Sequence, residues 1–177
     1  MLAKHREKAD ALLELVQDVC SLSQVVGSGP LRDVWLLRYL IGFKFDTKLA
    51  AEKFRIMLRY RERYGLDDIR RQMEKGMKPS DFPGFDLHQS AFKSTFDLCS
   101  GRSRDGSPVA VEATPRFDFE TLFSIDHAVA DRYLMHTMEY QFFMLDCLFL
   151  QTGRLVGYVK VMDLAGVKLS QLSWVRR

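Results

Sequence analysis

Apolar residues recur at helical spacing over the first third of the chain. Leu12, Leu13, Val16, Val19 and Cys20 share one face, with Lys, Glu and Asp opposite, which predicts a helix over 3–23. Gly27-Ser28-Gly29-Pro30 breaks the pattern. Asp33 is placed to cap a short helix through Leu40, with Gly42 and Phe43 as a link. Asp46 is placed to cap the next helix, from Thr47 to about Tyr64, on which Ala50, Phe54, Met57, Leu58, Arg61 and Tyr64 share a face. Gly65 suits its stop, and a further helix is expected over roughly 66–75.

The texture then changes. Gly76, Pro79, Pro83 and Gly84 punctuate an expected loop. Residues 96–99 and 109–112 are strand-like and flank a polar, Gly-containing turn, so a hairpin is expected. A helical turn fits 121–125. Asp126 is placed to cap a long helix over 128–151, whose second half is apolar almost all round and therefore expected to be buried on several sides. Gly153 ends it. The run 155–162 suits a strand, Gly166 suits the turn after it, and 170–175 reads as the opening of another helix. The fold class read from this order is α/β: an N-terminal helical module over 1–78, then a sheet domain with one hairpin, one crossover helix and one central strand over 79–177. A sheet buried on both faces needs more strands than this, so the sheet domain reads as incomplete.

Composition narrows the picture little. The chain has 177 residues, 47% hydrophobic and 28% charged, which is ordinary for a globular protein with a sizeable core. A net charge of +3 is too small to argue for nucleic acid, but it is uneven. Residues 1–80 carry 16 Lys and Arg against 11 Asp and Glu, whereas residues 81–177 carry 10 against 12. A basic helical half could favour an anionic membrane surface; solvated helix faces are the simpler reading. Cys20, Cys99 and Cys147 are far apart, with neither metal-ligand spacing nor a CxxC pair, which suits reduced thiols in a cytosolic protein. The first residues lack an apolar signal core, the chain contains no Asn to accept a glycan, and the longest apolar stretch, 142–150, is too short for a membrane span.

Catalytic chemistry finds little footing. His127 and His136 are nine residues apart, the wrong interval for two ligands on one helical face. Ser90-Ala91-Phe92-Lys93 has SxxK spacing but no companion motif. No GxSxG, Walker loop or GxGxxG is present. Asp67-Asp68 adjoin a helix start, where dipole compensation accounts for them. Arg55, Arg59 and Arg63 form a ladder that could touch phosphate, although an exposed face paired with Glu52 and Glu62 is simpler.

Four blocks in order carry a resemblance. They are Leu36-Leu37-Arg38-Tyr39-Leu40 with Lys44-Phe45-Asp46, then Asp105-Gly106-Ser107-Pro108-Val109, then Arg132 with Glu139-Tyr140, then Asp163-Leu164-Ala165-Gly166. In this order and spacing, over about residues 31–174, the chain resembles the CRAL-TRIO lipid-binding family. The resemblance implies a protein without catalytic activity or cofactor. Such a protein would bind or transfer a phospholipid, tocopherol, retinoid or similar hydrophobic ligand, in the cytosol or transiently at a membrane surface. The alternative is an adaptor that keeps the first part of the fold and holds no lipid. The resemblance also implies that the outer strand, gate helix and closing strands of the lipid cage lie beyond residue 177.

By the same resemblance the ligand-facing positions are Cys99 and Ala110 on the hairpin and Tyr158, Lys160 and Met162 on the last strand. Val159 and Val161 would face the other way. Lys160 on an apolar floor needs a carboxylate, a lipid phosphate or water beside it. Basic residues found in phosphoinositide-binding members are replaced here by Ile41, Gly42 and Phe43, which removes bidentate phosphate contacts and implies weak phosphoinositide transfer.

Overall fold

In the computed structural model, which describes residues 3–93 and 96–167, carboxylates and glycines punctuate the helices. Asp46 accepts from Leu49 N at 3.0 Å and starts the helix Thr47–Tyr64. Gly65 ends it in the left-handed conformation, φ 61°. Asp126 accepts from the Ala128 and Val129 amides at the head of His127–Thr152, and Gly153 closes that helix, also left-handed. Chain order gives α1 (Arg6–Val16), α2 (Gly29–Gly42), α3 (Thr47–Tyr64), α4 (Leu66–Glu74), α5 (Phe85–Phe92), α6 (Phe119–Ser124) and α7 (His127–Thr152). The strands are β1 (Phe96–Arg102), β2 (Pro108–Ala113) and β3 (Val159–Asp163). The result is a mixed helix and sheet protein.

The chain divides into two compact units between Gln72 and Met73, within the last turn of α4 and ahead of the boundary expected at residue 78. In the first unit, Leu12 and Val16 of α1, Leu36, Leu37 and Leu40 of α2 and Ala50, Phe54 and Leu58 of α3 are almost fully buried. They form one core with the 3.6-residue period read above. Two expectations shift here. The first helix is α-helical only over Arg6–Val16 and continues as a 3-10 turn, Gln17–Leu22. Asp33 lies inside α2 rather than capping it. Pro30 is pre-set for a first turn, so the helix begins earlier, after Ser28.

The second unit holds a three-stranded sheet in the order β1-β2-β3. β1 and β2 form an antiparallel hairpin with a bulge between Asp97 and Gly101. Its turn is tied by Asp105, which accepts from the Ser103 hydroxyl and from Ser107 N at 3.1 Å. β3 returns parallel to β2 after α7, with Val109 opposite Val159 and Ala110 opposite Lys160.

Two further expectations are corrected in this unit. The region read as a loop contains α5, because Phe82, Pro83 and Gly84 turn the chain directly into a helix. The last strand starts at Val159 rather than 155. The β2 residue that would continue the ladder towards Tyr158 is Pro108, which has no N–H to give. The second half of α7 is covered on several sides, as expected, though only in part, with no residue of 141–149 exposed. Leu145 and Asp146 are buried, Phe142, Phe143, Leu148 and Phe149 are half-buried, and Leu150 is 57% exposed. The expected helix over 170–175 lies outside the described residues.

Candidate functional site

Strand alternation sorts the sheet into two unlike faces. On β2, Pro108, Ala110 and Glu112 are buried while Val111 between them is exposed. The buried face is covered by α5 and α7, and between them is a cavity of about 370 Å³. Glu112, Tyr158 and Lys160 contribute from the sheet. His88 and Phe92 come from α5; Tyr133, Leu134, Thr137, Met138 and Gln141 come from α7. The lining is mostly apolar, as in small-molecule sites.

Each lining group is held by its neighbours. Gly84, φ 78°, lets α5 approach α7 so closely that a Cβ there would meet Val129 Cγ1 at 2.6 Å. His88 Nδ1 donates to the Gly84 carbonyl at 2.8 Å, and its ring stacks on Tyr133 at 3.9 Å. Tyr133 also meets Phe82 edge-on. Burial pushes the Tyr133 phenol up, against opposing pulls from Thr137 and Gln89. The Tyr158 hydroxyl donates to the Leu98 carbonyl, and burial pushes its pKa up to about 12, so the phenol stays neutral.

Two polar features stand out in this lining. Lys160 Nζ lies 2.6 Å from Glu112 Oε2, with Glu112 9% exposed and Lys160 44% exposed. Glu112 also accepts from the Thr114 hydroxyl at 3.0 Å. The carboxylate required for Lys160 is therefore supplied from the neighbouring strand, and the pair carries no net charge. Thr137 Oγ1 is buried beside the Tyr133 hydroxyl, close enough to lower that phenol's pKa but outside ordinary hydrogen-bond geometry.

A second cavity, of about 410 Å³, lies on the other side of Tyr133. Phe85, Gln89, Asp97, Leu98, Cys99 and Tyr140 complete most of its wall. Burial pushes the Tyr140 phenol up, and Cys99 and Asp97 add to that.

The five expected ligand-facing residues are thus divided. Tyr158 and Lys160 line the first cavity, with Val159 and Val161 on the opposite face. Cys99 lines the second. Ala110 is fully buried and Met162 is 48% exposed; neither is in either wall. Sequence reading missed Glu112, Tyr133 and Thr137. Glu112 had a signal, because it shares strand parity with Ala110. Thr137 had none, since a single threonine on a long helix looks the same whether or not a cavity faces it.

Two of the histidines are tied to backbone carbonyls one turn away. His136 Nδ1 donates to the Arg132 carbonyl at 2.7 Å, as His88 does to Gly84. Among the described residues no group of His, Cys, Asp or Glu could hold a metal ion, and no helix is long and apolar enough to cross a membrane. The three cysteines are free thiols. No family model matches the chain, and no curated protein matches it.

Proposed function

We propose that this chain is a hydrophobic-ligand carrier of the CRAL-TRIO kind, and that its ligand sits between the sheet and helices α5 and α7. The observation that carries the reading is the mostly apolar cavity of about 370 Å³ with the buried Thr137 hydroxyl in its wall. The driving force is removal of apolar surface from water, ~0.8 kcal/mol for each buried methylene. A cavity of about 370 Å³ is at the small end of ligand pockets. That suits one chain or a small ring system better than two acyl chains.

Electrostatics refines the ligand class. Glu112 already neutralises Lys160, so a phosphate or carboxylate would compete with a carboxylate that is 2.6 Å from the ammonium. An uncharged ligand bearing one hydroxyl or carbonyl meets no such competition, and Thr137 Oγ1 can bond either. The adaptor reading rests on a different observation. Val111, Val159 and Val161 expose 41%, 39% and 48% of their surface on the far face of the sheet, as a protein-binding face would.

The test is organic extraction of the purified full chain followed by mass analysis, with uptake of a fluorescent long-chain alcohol and of the matching fatty acid. Retained neutral lipid, or uptake of the alcohol in preference to the acid, supports the carrier reading. Thr137→Val is expected to weaken alcohol uptake about tenfold, the loss of one buried hydrogen bond. A chain that retains no lipid and takes up neither probe overturns the carrier reading in favour of the adaptor.

A further inference from the structure

The basic ladder on α3 is not absorbed by the cavity. It lies in the first compact unit, and the structure breaks it into unlike parts. Arg55 donates to both carboxylate oxygens of Asp18, at 2.7 and 2.6 Å, and serves α1–α3 packing. Arg59 and Arg63 are exposed, as is Lys48 on the same side of the helix. Beside them runs a row of apolar residues facing outward: Leu49, Ile56, Tyr60 and Tyr64, between 38% and 54% exposed. At 100° per residue these residues fall in one sector, with the cations along its edge. The one acidic residue within the sector, Glu52, is paired with Lys53 at 2.7 Å. The Tyr60 and Tyr64 rings lie tilted against each other, centroids 4.3 Å apart, and the Arg63 guanidinium lies over the Tyr64 ring at 5.4 Å.

Neither half of this arrangement accounts for the other as ordinary surface. Isolated exposed leucines are common, but Ile56 and two tyrosines in register are a contiguous apolar strip. Its flank bears exposed positive charge, Lys48, Arg59 and Arg63, of which Arg59 also feels Asp18. That combination is complementary to a surface that is apolar at depth and anionic at its rim. Tyrosine suits the boundary, with its ring in the acyl region and its hydroxyl among headgroups. Lys48, Arg59 and Arg63 stand where lipid phosphates and serine carboxylates would be.

We infer that the outward face of α3 is a docking surface for an anionic lipid bilayer, with Ile56, Tyr60 and Tyr64 entering the interface and Lys48, Arg59 and Arg63 binding anionic headgroups. The inference does not rest on the cavity. A chain with an empty cavity can still dock, and a chain that carries lipid can fail to dock.

The experiment is co-sedimentation of the full chain with vesicles of phosphatidylcholine alone and with 30 mol% phosphatidylserine, at low salt and in 0.5 M NaCl. Binding is expected to need phosphatidylserine and to fall in high salt, where screening shortens to a few ångströms. Each removed cation is expected to weaken binding about fivefold, and Arg59→Gln with Arg63→Gln about 25-fold. Ile56→Asp is expected to weaken it as strongly, with far-UV circular dichroism unchanged, and Ile56→Trp to show a blue-shifted emission on serine-containing vesicles. Wild-type protein that ignores anionic vesicles overturns the inference. So does loss of binding in the arginine variant with full binding in Ile56→Asp, which would mark the face as a site for a soluble polyanion.

Discussion

Asp67 joins two segments that are more than forty residues apart. Its carboxylate accepts from Ser23 Oγ at 2.8 Å, from Gln24 N at 2.7 Å and from Val25 N at 3.2 Å, which fixes the turn between α1 and α2. It also lies 2.9 Å from the guanidinium of Arg61, whose side chain is 2% exposed on α3. Burial opposes ionisation of Asp67, but the Ser23 hydroxyl, the Arg61 charge and the backbone amides outweigh it and hold the carboxyl below its usual range. Because the folded pKa is depressed, the stabilisation is present above the unfolded value of ~3.9 and is lost as pH falls through the folded value. Acid should therefore loosen the α1–α2 turn below about pH 4. Asp67→Ala removes the carboxylate while leaving the guanidinium buried, and is expected to cost about 3–5 kcal/mol in urea titration. A loss below 1 kcal/mol would show that the cluster contributes little to holding the turn. Asp67 looked from sequence like a residue compensating a helix dipole, because its partner Ser23 is distant in the chain and the pairing exists only once the unit has folded.

At the scale of elements, the parts legible in the sequence are those decided by a few adjacent residues. Asp46, Gly65, Asp126 and Gly153 act where local rules place them. The hairpin and the parity of β3 follow from alternation. What failed was decided at longer range. The start of β3 depends on Pro108, about fifty residues away. Helix α5 was obscured because Pro83 and Gly84 read as loop, whereas Gly84 is the contact that seats α5 on α7. Gly84→Ala combines a left-handed backbone with a 2.6 Å approach to Val129. The expected loss is about 1–3 kcal/mol of stability. Thermal unfolding should register it, and the cavity probe should bind more weakly because His88 can no longer hold its stack on Tyr133. Asp126→Ala tests the α7 side of the same contact, because Asp126 caps the turn that carries Val129. Loss of the α7 cap is expected to cost about 1 kcal/mol while leaving probe binding intact, since Asp126 is not in the cavity wall.

At the scale of the whole molecule, the two faces of the sheet make opposite demands. One face is covered by α5 and α7 and lines the proposed ligand site. On the other, Val111, Val159 and Val161 stand exposed, and β3 is an edge of the sheet with no further strand beside it among the described residues. All five residues of β3 are exposed, and Leu164 just after it is 56% exposed. The open face of β3 carries Val159 and Val161, with Asp163 as its charged residue at the strand's end, and such an apolar strand edge is a template for pairing. Lys160, the cation of β3, points to the opposite face and is engaged by Glu112. We therefore expect the purified chain to associate as concentration rises, with slow hydrogen exchange at the 159–163 amides only in the associated form. Val161→Lys places a charge on the open face without entering the cavity wall. It is expected to shift chromatography with light scattering towards monomer and to leave probe uptake unchanged. If wild-type protein stays monomeric at high concentration while those amides exchange slowly, the strand is already covered within one chain, and neither self-association nor the adaptor reading would draw support from it.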